Sequence, residues 1–211
     1  GYLVKVKKIL ECICVNCGRL KADTSDLNFA EIIRLFRDPK VRFKYVWAHC
    51  KSKTICEADE QKEEGEEQAD EPPKKGHGGC GHVQPQIRKE SLKLFLQYKK
   101  SKNEEDEEFK AAHQEKRLFT PQEVYNVLRK INDEDLNLLG LSDEYARPEW
   151  MILTVMPVPP PPVRPSISVD GGNLRSEDDL TYKLAEIIKA SASVRRCEEE
   201  GAPSHVISEF E

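Results

Sequence analysis

The stretch Glu11–Gly18, ECICVNCG, constrains this chain more than any other. It carries a Cys-x-x-Cys pair, Cys14 and Cys17, with Cys12 two residues upstream, and the spacing is not repeated elsewhere. A structural zinc ion takes four Cys or His ligands in a tetrahedron, so a single pair leaves two ligands to be found. The candidates are Cys50, Cys56, Cys80, His49, His77 and His82. Cys50 falls on the apolar face of an expected helix, and Cys12 sits one position too early in the segment entering the turn. Cys80 lies in GHGGCGH, where a glycine-rich knuckle lets the backbone wrap a metal. Cys56 stands at the mouth of the acidic stretch that precedes this knuckle, so closing that stretch brings the two together. The expected ligand set is Cys14, Cys17, Cys56 and Cys80, holding a structural Zn2+. A redox role would need the pair at a helix start within a βαβ unit, which the flanking pattern does not supply.

Seven cysteines, an odd number clustered rather than spread, with no secretory pattern ahead of them, favour metal binding or free thiols over a disulfide framework. Charged residues make up 34% and hydrophobic residues 38%, a modest core for 211 residues. That balance suggests long solvated segments or a piece of a larger protein. The opening Gly-Tyr-Leu-Val-Lys, without methionine, and a helical pattern interrupted at Glu211 are read the same way.

The net charge of −5 is unevenly placed. Residues 57–71 hold nine acids and one lysine, and residues 101–108 hold five acids and one lysine. Without these two inserts the remainder is basic, and residues 5–53 carry twelve Lys/Arg against five Asp/Glu. A basic body with acidic inserts fits a surface near nucleic acid, although solvated faces look the same on charge alone. The inserts, taken as 57–79 and 101–117, contain few large apolar groups and are expected to be mostly flexible.

Between these landmarks the pattern reads as α+β. Tyr2–Cys14 is expected as a strand entering the Cys-x-x-Cys turn, and Leu27–Arg37 as a short helix. A second helix starts at Asp38-Pro39, with Phe43, Val46, Trp47 and Cys50 on one face. Ile87–Tyr98 reads as a strand or hairpin arm. Thr120-Pro121-Gln122-Glu123 is a capping box opening a helix that buries Val124, Val127, Leu128 and Ile131. A short helix follows and stops at Gly140. Residues 150–158, WMILTVMPV, form an apolar run expected as a buried strand, followed by an extended polyproline-like exit, PPPPVRPSIS. Residues 173–177 are expected as a loop. Ser176 is expected to cap a long helix with Leu180, Leu184, Ile187, Ser191 and Val194 on its face. Gly201-Ala202-Pro203 then turns the chain into a helix capped by Ser204, with Val206, Ile207 and Phe210 inward. The longest apolar stretch, Trp150–Val163, is broken by prolines and is too short to span a bilayer. No nucleophile elbow, phosphate loop or HExxH motif is present, so catalysis is not expected from these residues themselves.

ARPEWMILTVMPVPPPPVRPSISVDG, followed by EDDLTYKLAEIIKA and GAPSH, resembles the largest subunit of eukaryotic RNA polymerase II. ECICVNCG, GGCGHVQPQIRK and LGLSDEYARPEW match the same subunit in the same order, so the resemblance covers the whole chain apart from the acidic inserts. It implies a zinc-stapled clamp head over 1–158, a proline-rich exit and lid loop over 159–178, and the first arm and tip of the clamp coiled-coil over 179–211. It also implies zinc at Cys14, Cys17, Cys56 and Cys80. Arg164, Ser166, Val169 and Arg175 would face nucleic acid in the lid, which helps part nascent RNA from the template; Val169 stands where some relatives carry an aromatic wedge. Arg195, Arg196, Glu198, Glu199 and Glu200 would form a tip that docks general initiation factors and a NusG-like elongation factor. The implied partners are the other polymerase subunits, template DNA and nascent RNA, and the implied location is the nucleus. Mg2+ and nucleotidyl transfer would belong to the intact enzyme and not to this segment. The rival reading is a free-standing zinc-binding interaction module with a polyproline ligand.

Overall fold

The computed structural model describes residues 2–59, 76–98, 116–169, 171 and 174–210. The expectations for the acidic inserts at 60–75 and 101–115 lie outside the described residues. The chain divides into two compact units, Gly1–Leu153 and Thr154–Glu211.

The first unit opens with helix α1 (Leu3–Cys12), where a strand was expected. Leu3, Val4 and Val6 suit either period, but Val6, Ile9 and Leu10 at i, i+3 and i+4 form the buried stripe. Lys7 pairs with Glu11 at 2.7 Å along the helix, and the other Glu11 oxygen accepts the Trp47 indole N–H at 2.7 Å. These bonds fix α1 against α3 (Pro39–Lys51). Tertiary packing thus overrides the strand propensity of the β-branched residues.

Helix α2 (Leu27–Leu35) is capped by Asp26, whose carboxylate accepts from the Asn28 and Phe29 N–H groups. Asp38 caps α3 with Pro39 at its first position. Phe43, Val46 and Cys50 are buried there, and Trp47 is half-buried against the same core. Cys12, with no solvent exposure, donates its thiol to the Lys8 carbonyl at 3.1 Å and packs within the helix layer.

Strands β1 (Gln86–Glu90), β2 (Lys93–Gln97) and β3 (Arg117–Phe119) form an antiparallel sheet in the order β1-β2-β3. Glu90 opposes Lys93, so Ser91-Leu92 is a two-residue hairpin turn, with Ser91 at φ +50. Arg117, assigned to the second insert from sequence, pairs with Leu96 instead. Ile87, Leu94, Leu96 and Phe119 join the helical core.

Helix α4 (Pro121–Arg129) has the expected capping box, and Val124, Val127 and Leu128 are buried, as is Ile131 just beyond it. Helix α5 (Asp133–Leu138) is capped by Asn132 and ends before Gly140. Residues 150–158 do not form the expected buried strand. Pro148–Met151 is a 3-10 turn in which Trp150 is 56% exposed, Ile152 is half-buried against the core, and residues 153–158 are exposed, Val155 at 80%. Prolines at 157 and 159–162 remove the donors that a central strand would need.

In the second unit the proline run is only partly extended. Pro160 has polyproline angles, but Pro161–Val163 is a 3-10 turn. Residues 173–177 were expected as a loop, yet β5 (Leu174–Ser176) pairs with β4 (Ile167–Val169) in an antiparallel hairpin. Ser176 opposes Ile167 there, so it cannot cap the helix. Asp178 does so, its carboxylate accepting from the Leu180 N–H at 2.9 Å. Helix α6 (Asp179–Glu199) turns through Gly201 into α7 (Ser204–Phe210). Cys197 is buried at this corner, and Val206 and Ile207 are half-buried, but Phe210 is exposed. The face expected to be buried is open: Leu184 and Ile187 line a groove of about 600 Å³ with Met156 and Val158.

Candidate metal centre

Two short turns build the site. In the first, α1 ends at Cys12 and Ile13 bridges Leu20 across a tight loop. The Cys14 N–H donates to the Arg19 carbonyl at 2.8 Å, and the Gly18 N–H donates to the Cys14 carbonyl at 2.9 Å. Gly18 sits at φ +79, and a Cβ there would come within 2.4 Å of the Lys130 Cβ. Only glycine fits both the backbone angle and the space. The Lys130 ammonium donates to the Asn16 carbonyl at 2.9 Å, pinning this loop to the end of α4.

The second turn is assembled from chain segments on either side of the first acidic insert. Ile55 bridges Val83, the Cys56 N–H donates to the His82 carbonyl at 3.0 Å, and the Gly81 N–H donates to the Cys56 carbonyl at 2.7 Å. The Glu57 carbonyl accepts from the N–H groups of His77 and Gly79. Residues 57–59 and 76–79, counted with the flexible insert from sequence, are therefore part of this ordered turn. A Cβ on Gly79 would lie 2.5 Å from Cys56 Sγ, so a side chain at this position would strike the cluster.

The turns bring Cys14, Cys17, Cys56 and Cys80 together, with their four Sγ atoms all within 4.8 Å of one another. Cys14 and Cys80 sulfurs are 3.5 Å apart, and those of Cys17 and Cys56 are 3.7 Å apart. Disulfide sulfurs would be about 2.05 Å apart. A tetrahedron of thiolates about 2.3 Å from a central ion has edges near 3.8 Å, close to the Cys14–Cys80 and Cys17–Cys56 separations. The donor set and separations therefore fit a tetrahedral ion of the zinc class.

The surroundings favour sulfur carrying negative charge. Cys14 Sγ accepts from the backbone N–H groups of Asn16 (3.4 Å) and Cys17 (3.5 Å), and Cys56 Sγ accepts from that of Cys80 (3.3 Å). Burial pushes the Cys14 thiol up, but the Cys17 and Asn16 N–H groups outweigh it and hold this thiol below its ordinary range. Burial pushes Cys17 and, more strongly, Cys56 upward. Four sulfurs this close cannot all ionise without a cation between them, and a divalent ion supplies that charge.

Gln84 was missed in the sequence. It is 7% exposed and joins the two turns: its amide N–H₂ donates to Cys14 Sγ at 3.1 Å and to the His82 carbonyl at 2.9 Å, while its oxygen accepts the Val15 N–H at 3.0 Å. No periodicity marks a glutamine for such burial. The histidines are not among the four clustered ligands, although His82 reaches the edge of the cluster. His49 pairs with Asp26 at 2.8 Å, and exposed His82 lies with its Nδ1 3.3 Å from Cys80 Sγ. His77 is buried with both ring nitrogens unpartnered among the described residues.

The family described as RNA polymerase Rpb1, domain 1, matches residues 1–211. This chain belongs to that family. Rpb1 is the largest subunit of a DNA-directed RNA polymerase, a nucleotidyltransferase, so the other polymerase subunits are partners of the protein that carries this chain.

The remaining residues singled out in this Rpb1 chain lie in the second unit. Arg164 is tied down, its Nε donating to the Pro159 carbonyl at 2.8 Å and Nη1 to the Thr181 hydroxyl at 3.2 Å. Arg175 Nε donates to the Ser166 hydroxyl at 3.1 Å across the β4–β5 hairpin, and Val169 stands exposed at the hairpin end. Arg195, Arg196, Glu198, Glu199 and Glu200 are all exposed around the end of α6, where the Glu200 N–H donates to the Arg196 carbonyl at 2.9 Å.

Proposed function

We propose that this chain is the zinc-stapled clamp of the largest subunit of RNA polymerase II, a nuclear enzyme, and that it retains DNA and RNA in the cleft of that polymerase. The observation that carries this reading is the Rpb1 family match over all 211 residues. The four-cysteine cluster supports it from the side of chemistry. Zinc at Cys14, Cys17, Cys56 and Cys80 fixes two turns whose chain segments are separated by an acidic insert, which shapes the clamp head. The β4–β5 hairpin acts as the lid, with Arg175 and Arg164 placed for phosphates at the upstream end of the hybrid. The α6–α7 corner, with its exposed Arg195, Arg196 and Glu198–Glu200, is the tip that receives initiation factors and a NusG-like elongation factor. The rival reading, a free-standing zinc module with a polyproline ligand, draws no support from a family match that spans the whole chain.

The class of polymerase is tested by mapping the tagged protein on chromatin. Occupancy over protein-coding genes supports polymerase II, and occupancy confined to ribosomal or transfer RNA genes contradicts it. The tip assignment is tested by pull-down with charge-reversed Glu198–Glu200; undiminished capture of elongation and initiation factors contradicts it.

A further inference from the structure

Beside the cysteine turns, with Gln84 in its wall, the first unit contains a cleft of about 310 Å³ between α1, the C-terminal end of α3 and β1. Five cations line it, Lys7, Lys21, Lys51, Lys53 and Arg88, against one acid, Glu11. Two of the five are matched: Lys7 by Glu11, and Lys53 by Asp26 and Glu57 at 3.4 and 3.6 Å. Among the described residues Lys21, Lys51 and Arg88 form no ion pair. Lys51 rests over the Trp47 ring at 4.8 Å, which leaves its charge unneutralised.

A solvated basic face would explain Lys51 and Arg88 but not Lys21. Lys21 is only 5% exposed, and its ammonium donates to the Lys53 carbonyl at 3.2 Å. An ammonium has three donors and is rarely buried without an opposing charge. Glu11 is already shared between Lys7 and Trp47. We infer that this cleft is a binding site for a phosphate monoester, with Lys21 at its floor and Lys51 and Arg88 at its rim.

The chemistry selects this class. Three unmatched cations suit a dianion better than a phosphodiester or carboxylate, each of charge −1. A tetrahedral oxyanion offers three oxygens to three separate donors, and Arg88 adds a planar fork suited to phosphate. The cleft is at the small end of ligand pockets, sized for a phosphate with a short tether. That shape favours a phosphorylated side chain or a small phosphate ester over a continuous nucleic-acid backbone. The inference stands apart from the zinc and lid assignments.

The test is equilibrium binding to the assembled polymerase of a short fluorescent peptide carrying one phosphoserine, alongside its unphosphorylated twin. Lys21→Met, Arg88→Gln and, as a control on α6, Lys189→Gln are compared with the parent enzyme. The phosphopeptide should bind and its twin should not. Inorganic phosphate should compete, and a peptide that binds more tightly than inorganic phosphate identifies a phosphorylated side chain as the source. Loss of a charge-assisted bond should weaken binding about ten-fold or more in both cleft variants, with no change in the control. Arg88→Gln, at an exposed strand position, keeps the test valid if Lys21→Met fails to assemble. Unchanged affinity in Arg88→Gln, equal binding of the unphosphorylated twin, or binding through these residues of a single-stranded oligonucleotide but not the phosphopeptide would overturn the inference.

Discussion

The Gln84 side-chain amide lies 3.1 Å from Cys14 Sγ, and through its other contacts it holds the two cysteine turns in one register. Partners of this kind orient a metal ligand and tune the charge on its sulfur. Removing them typically costs about ten- to a hundred-fold in metal affinity. Gln84→Leu should therefore keep the metal at saturation but release it to a chelator about ten-fold faster or more. Release kinetics followed with a chromogenic chelator check this, and parent-like rates would show that Gln84 only packs.

Helix α4 depends on a reciprocal cap. Thr120 Oγ1 accepts the Glu123 N–H at 3.3 Å, and a Glu123 oxygen accepts the Thr120 N–H at 3.0 Å. Thr120→Ala should lower stability by about 1 kcal/mol, read as a shifted denaturant midpoint with an unchanged slope.

Asp26 links folding to pH. Burial pushes its carboxyl up, but the bond to His49, the Phe29 N–H and Lys53 outweigh it and hold the group below the ordinary carboxylate range. A depressed folded value gives stability that is fully present above the unfolded value, about 3.9, and lost as pH falls through the folded value. Asp26→Asn keeps a capping oxygen while removing the charge. The melting-temperature gap between parent and Asp26→Asn should close as pH falls below about 4. A gap that persists or widens below about pH 4 would contradict the assignment.

The two arginines of the proposed lid should behave differently. Arg164 braces the second unit through Pro159 and Thr181, whereas Arg175 bonds Ser166 across the hairpin. In the assembled enzyme, Arg175→Gln should shorten elongation-complex lifetime, with the deficit largest at low salt and shrinking as salt screens the parent's extra phosphate contact. Arg164→Gln should do the same and also lower thermal stability. Parent-like lifetimes in both variants would remove the lid from nucleic-acid contact.

The cysteine cluster was legible in the sequence because a metal site is specified by residue type, and few thiols were available. The capping box at Thr120 and the burial of Cys50 were legible for similar local reasons. Helix α1 is hard to read from sequence because Leu3, Val4 and Val6 fit two periods, and only the burial of the adjacent pair Ile9-Leu10 decides between them. The run at 150–158 reads as a strand on hydrophobicity alone, yet among the described residues no neighbouring strand offers it a ladder. Gln84 and Lys21 could not be found from sequence. Their burial depends on turns brought together across the acidic insert, and a polar side chain carries no periodic trace of that.

Metal content decides the central claim most directly. Cys56 and Cys50 are both fully buried, but only Cys56 belongs to the sulfur cluster. Zinc measured by elemental analysis in purified protein should fall in Cys56→Ser and stay at the parent level in Cys50→Ser. Equal zinc in the two variants, whether lost from both or kept by both, would contradict the account.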